Sequence, residues 1–236
     1  MMLGFQRHIS VVSRKILVTA GSVLALLAPI HAEALTSEQV FEPRLLSMLP
    51  PYCKYTQIFR DRMPGGNNPE EIGRWTALIG PTFIHMHHYC LGLMNVYRAG
   101  ILAKTRQDRD HNLNNSIMEF NYVMRNAPPD FSMLPELLTR KGESLILLNR
   151  GAEGVVDLQD AIERSPDYWP PYAALSDYYR DLGQLAKARD WAQKGLSVAP
   201  NSRALNRRLT ALDGMAGKPK SAPGPAKRPA SSQPAE

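Results

Sequence analysis

Residues 169–202 read WPPYAALSDYYRDLGQLAKARDWAQKGLSVAPNS: two short helical stretches meeting at Gly183 and closed by Pro200. Residues 135–168, PELLTRKGESLILLNRGAEGVVDLQDAIERSPDY, lie over them at a step of 34. Pro166 falls on Pro200, Gly142 on Ser176, Leu138 on Tyr172 and Leu145 on Tyr179. Gly154 falls on Ala188, Leu158 on Ala192, Ala161 on Gly195 and Ile162 on Leu196. Small residues recur where two helices must approach closely, and large ones where they fill the gaps. One such hairpin cannot bury its apolar face alone, so the units must stack.

Working outward, positions 43–214 carry a helical pattern throughout and no convincing period-2 strand. Asn68-Pro69-Glu70-Glu71 is a helix start: Asn68 caps, Pro69 suits the first helical position, and Glu71 completes a capping box. That helix runs to Ile79 and stops at Gly80-Pro81. Others are expected from about Thr82 to Ala103, then at about 111–126, 134–148, 152–164, 170–182, 185–198 and 202–213. A third, altered unit lies upstream, with Gly92 as its small residue and Pro128 as its stop. Its Gly-to-Pro interval is 36, against 24 in the next two units. The twelve extra residues are expected around Thr105–Asn115, as longer helices or a longer polar turn. After Asn201, Arg203, Arg207 and Arg208 alternate with Leu205, Leu209 and Leu212, as in a helix that caps the stack and shows charge to water.

The 34-residue helix–turn–helix resembles the tetratricopeptide repeat family. In residues 169–202, Tyr172, Leu175, Tyr179, Gly183, Leu185, Ala188, Leu196 and Pro200 sit where that pattern wants aromatic, Leu, aromatic, Gly, apolar, Ala, Leu and Pro. Residues 135–168 fit less well, because Lys141 and Asn149 stand where Leu and Gly are expected. The resemblance implies an all-α, right-handed solenoid of about three helical hairpins over 81–214. A helical segment at 43–80 would precede it.

The resemblance also implies that the first helix of each pair lines a concave face. Groove residues would be Glu136, Thr139, Arg140 and Glu143 in the second unit, and Ala173, Asp177, Arg180 and Asp181 in the third. This mixed-charge surface suits a protein or peptide partner. The matching positions of the first unit, Met86, Tyr89, Leu93 and Val96, are apolar, too large a patch to leave exposed on a monomer. Residues 43–80 are expected to cover it with Leu46, Leu49, Tyr55, Ile58, Phe59, Trp75 and Leu78. Otherwise the patch is itself the partner site.

Arg7, Arg14 and Lys15 precede an uncharged apolar stretch, Ile16 to Ile30, and then small residues. This is the layout of a secretory signal over 1–32, cleaved near Ala32 or Ala34. An uncleaved anchor is the alternative, and the apolar core is short for spanning a bilayer. The expected compartment is the periplasm, with membrane association only indirect or through an uncleaved signal. Cleavage at Ala32 removes those three positive charges and no acid, so the net charge falls from +6 to +3. What remains is concentrated in residues 215–236, MAGKPKSAPGPAKRPASSQPAE, read as a disordered Pro/Ala/Ser/Lys tail. The folded part is nearly neutral, so no nucleic-acid partner is expected despite a pI near 9.4.

The densest chemistry is His85-Met86-His87-His88-Tyr89-Cys90. His85 and His88 lie one helical turn apart, as do His87 and Cys90. Imidazole and thiolate are ligands for zinc or copper, with only Cys53 and His111 to add. Two cysteines in an oxidising compartment also pair, here Cys53 with Cys90. No oxyanion donor or orienting acid accompanies the Cys–His cluster, so no enzyme is read and no cofactor is implied. The expected function is a non-catalytic interaction scaffold. Similar repeats suggest envelope assembly, secretion or polysaccharide export. The alternative is a metal-binding envelope protein using His85 and His88.

Overall fold

The computed structural model describes residues 41–216, and the signal and tail readings lie outside them. The described elements are α1 (Pro43–Leu46), α2 (Pro69–Ile79), α3 (Met86–Ile101), α4 (Arg106–Asn126), α5 (Leu134–Leu147), α6 (Gly151–Arg164), α7 (Pro170–Asp181), α8 (Leu185–Val198) and α9 (Arg203–Ala216). Short 3-10 turns cover Pro51–Tyr55 and Pro81–His85. No strand occurs among the described residues.

Helices α3 and α4, α5 and α6, and α7 and α8 form three hairpins that stack in chain order, and α9 closes the stack on α7 and α8. The first helices also touch across the stack, α5 to α7 and α7 to α9, whereas the second helices have no comparable packing among the described residues. The row that stays in contact lies on the tighter inside of the curve. Helices α5, α7 and α9 therefore line the concave face.

The repeat arithmetic explains the hairpin crossings. A side chain on Gly142 would meet the Gly154 carbonyl at 2.9 Å, and one on Gly154 would meet the Gly142 carbonyl at 2.6 Å. In the next hairpin Ser176 and Ala188 hold these positions, both fully buried. Leu158, Ala174 and Leu175 form the shared core, with Ile146, Val155, Ile162, Tyr179 and Trp191 packed on it. The two departures from the repeat pattern are both accommodated. Asn149 takes φ 62°, as Gly183 does at φ 71° one repeat later, and Asn tolerates this left-handed turn better than most residues. Lys141 pairs across its hairpin with Asp157 at 3.0 Å.

One open alternative is settled and two local expectations are corrected. The extra residues of the first unit lengthen its helices rather than its turn: α4 starts at Arg106, with Thr105 and Asp108 forming a reciprocal capping box. Asn68 caps α2 alone, accepting from the Glu70 and Glu71 amides, while the Glu71 carboxylate turns to Arg74 at 2.6 Å. Leu78 does not cover the first hairpin. It is 65% exposed, and Ile58 also faces water.

The cover comes from residues 41–59 instead. Phe41, Leu45, Leu49, Cys53 and Phe59 are buried, as are Met86, Tyr89 and Leu93 of α3. Cys53 and Cys90 form a disulfide with Cα atoms 5.8 Å apart. Gly92 makes room for Phe120 of α4, whose ring would lie 2.4 Å from an added Cβ.

Candidate functional site

Helix α5 presents Glu136, Arg140 and Glu143 on one face because they are spaced by four and three residues. Arg140 Nη1 donates to Glu143 Oε2 at 3.3 Å, and Arg140 Nη2 to Glu136 Oε1 at 3.5 Å. Glu136 also accepts from Tyr89 Oη of α3 at 2.5 Å and from Tyr168 Oη, just before α7, at 3.3 Å. Tyr52, on the covering segment, stacks on Tyr89 with ring centroids 6.3 Å apart. Tyr97 Oη donates to the Met48 carbonyl at 3.3 Å, tying α3 to the same segment. Four tyrosines from three parts of the chain thus surround one Glu–Arg–Glu row.

The row continues onto the next units. Asp177 of α7 accepts from Arg180 Nη1 at 2.6 Å and from Arg208 of α9, through Nη2 at 2.5 Å and Nε at 2.9 Å. Arg180 also holds the exposed Asp181. One carboxylate between two guanidiniums is a charge-assisted bridge that fixes α9 against α7.

The electrostatics match a concave floor. Glu143 keeps 39% of its side chain accessible, yet surrounding protein pushes its carboxyl above the usual range, against the pull of Arg140. Burial pulls the Arg140 guanidinium down. The neighbouring Glu143, Tyr89 and Glu136 outweigh this and raise it. Burial raises the phenols of Tyr52, Tyr89 and Tyr168, and Glu136 adds to each. All three therefore stay neutral hydroxyls across the physiological range.

The structure brings Glu136, Arg140 and Glu143 together, and Asp177, Arg180 and Asp181 together. Thr139 does not join them. It is 1% exposed, and its hydroxyl donates to the Pro135 carbonyl at 2.7 Å. Ala173, at the same repeat position, is buried too, as is Tyr89 in the first unit. This position faces into the stack, where a threonine is tolerated because its own helix satisfies the hydroxyl. Sequence reasoning placed Tyr89 at a groove position of the first unit but missed Tyr52, Tyr97 and Tyr168. Tyr97 follows Leu93 by four residues on the same helix face, and that spacing was the available signal.

His87 and His88 lie with ring centroids 4.2 Å apart, and His85 and His88 both pack on Tyr122. His88 Nδ1 lies 2.5 Å from Glu119 Oε2, and its ring lies on Tyr122 at 3.7 Å. His87 is buried with Nδ1 at 3.0 Å from the Ile84 carbonyl, so that nitrogen carries the proton. Burial, then the neighbouring His88, lower its pKa. His85 meets the edge of Tyr122. With Cys90 in the disulfide, the thiolate of the metal reading is absent. Among the described residues no three His, Cys, Asp or Glu side chains are placed to hold a metal ion.

No family model matches the sequence, and no curated protein matches it. Among solved structures, the chain is similar to the first TPR of Spaghetti (RPAP3) bound to the HSP90 peptide SRMEEVD. The identity is 16% and the TM-score 0.39, with 54% of this chain and 94% of that chain covered.

Proposed function

We propose that the protein is a non-catalytic interaction scaffold that works after export, docking an extended segment of a partner protein along its concave face. The observation that carries this reading is the convergence of Tyr52, Tyr97 and Tyr168 with Glu136, Arg140 and Glu143 on one accessible surface. Tyrosine offers large contact area with little loss of conformational freedom. The Arg140 contacts are long, between 3.3 and 3.5 Å, and its Nε makes no hydrogen bond among the described residues, so the guanidinium keeps donor capacity for an incoming acceptor. Residues 1–32 support a periplasmic setting through their charged start, apolar stretch and small residues. Envelope assembly, secretion and polysaccharide export are the processes this setting suggests.

Panning a random peptide library against the full chain tests the groove. Selected peptides should bind the native protein and bind Glu143→Lys at least ten times more weakly, with the helical circular dichroism of the variant retained. Equal binding by the variant contradicts the groove assignment. Export is tested by intact mass of protein recovered from the periplasm. The account expects loss of the first 32 or 34 residues, and retention of Arg7 would indicate an anchored protein.

A further inference from the structure

We propose that the concave face is a seat for the chain's own residues 217–236, which dock there in cis until a partner displaces them. The proposal rests on the groove reading above and names the first occupant of that site. Three observations carry it.

The first is composition. Residues 217–236 hold five prolines and four basic residues, Lys218, Lys220, Lys227 and Arg228, against the single acid Glu236. They contain no aromatic and no branched apolar residue. Such a segment has nothing with which to build a core of its own. Its prolines favour an extended backbone whose carbonyls have no internal partners. Extended proline-rich segments seat on aromatic surfaces that bring hydrogen-bond donors, because the pyrrolidine rings lie flat on the aromatic faces.

The second is complementarity. The tyrosines around Glu136 provide that surface, and Arg140 provides donors for free carbonyls. Among the described residues Glu143 makes a single ion pair, with Arg140 at 3.3 Å, and Arg208 of α9 adds only a weaker pull, so burial still raises its carboxyl. A lysine or arginine of the segment laid beside it compensates that burial.

The third is reach. The described chain leaves α9 at Ala216. That helix already touches the face through Arg208 on Asp177, and Arg189 holds Asp213 near its end. Twenty extended residues span about 60 Å at roughly 3.1 Å each. The floor on α5 lies two helix spacings from α9, about 20 Å. A tether of this kind gives an effective concentration on the order of 1 mM, so even a weak contact is occupied.

The test uses the full chain and a variant with Lys218, Lys220, Lys227 and Arg228 all changed to Glu, which leaves the helical stack untouched. The probe is a fluorescein-labelled synthetic peptide of residues 217–236, followed by fluorescence polarisation. A peptide with Kd near 0.1 mM meets competition from the tethered copy in the native chain. It should therefore bind the charge-reversed variant about tenfold more tightly than the native protein. Adding Glu143→Lys to that variant should abolish the difference. Equal affinity for native and variant chains, or no binding to either, overturns the proposal. If library-selected peptides still bind while the tail peptide does not, the groove reading survives and this proposal alone fails. If neither binds, both fail. Light scattering decides the source of the segment: monomers at all concentrations support docking in cis. A native dimer that the charge reversal dissolves overturns it in favour of exchange between copies.

Discussion

At the scale of single residues, the Cys53–Cys90 disulfide and the Glu143 carboxylate make the sharpest statements. Both cysteines are buried, and the bond ties the covering segment to α3 across 37 residues. Cys53→Ser with Cys90→Ser should lower stability by about 3–4 kcal/mol in the chain-entropy account. Denaturant unfolding of the double variant measures this, and reductant should move the native protein the same way. Glu143 ionises less readily folded than unfolded, so the folded state holds its proton to higher pH. Its contribution is most favourable below the ordinary carboxyl pKa and is lost as pH rises through the folded value. The melting temperature of Glu143→Gln relative to native protein should therefore rise between pH 4 and pH 7. A flat difference would show that the carboxylate is freely hydrated. Residue chemistry also marks a limit of sequence reading. Thr139 looks like a surface residue by type, and only its bond to its own helix makes it acceptable inside.

At the scale of helices and hairpins, the constraint is crossing distance. Ala188 is fully buried where α7 and α8 meet. Ala188→Leu should overpack that crossing and cost about 1–3 kcal/mol. Gly154→Ala should act in the same direction, since its new methyl points at the Gly142 carbonyl. Gly73→Ala is the control. It sits within α2 with nothing within 4 Å of the added carbon, so it should stabilise by about 0.5–1 kcal/mol. Thermal unfolding of the three variants checks sign as well as size. Much of this level was legible from the sequence, because close crossings force small residues at a fixed step and turns force Gly, Asn or Pro. The start of α4 was not. Its first turns, RQDRDHN, are so polar that they read as loop, although Thr105 and Asp108 carried the capping signal. The cover at 41–59 was legible only as an apolar excess, since short 3-10 turns have no hydrophobic period to find.

For the whole molecule, the curved stack explains why a surface with little net charge still has chemical character. Its acids and bases are matched pair by pair, and the tyrosines between them supply contact area. The clustering of Tyr52, Tyr97 and Tyr168 was not legible, because they lie far apart in sequence and meet only when three units stack. Asp177 cannot serve as a neutral probe of this face, since it joins α7 to α9 through Arg208. Changing it unties two helices, whereas the ion pair of Glu143 among the described residues stays within α5, with Arg140. The central claim is that this one surface receives an extended segment. Amide chemical-shift mapping of the protein, titrated with a library-selected peptide, tests it most directly. The account predicts shifts confined to α5, α7 and α9, around Glu136, Arg140, Glu143, Tyr168 and Asp177. Shifts that instead follow the outer helices α4, α6 and α8 would contradict it.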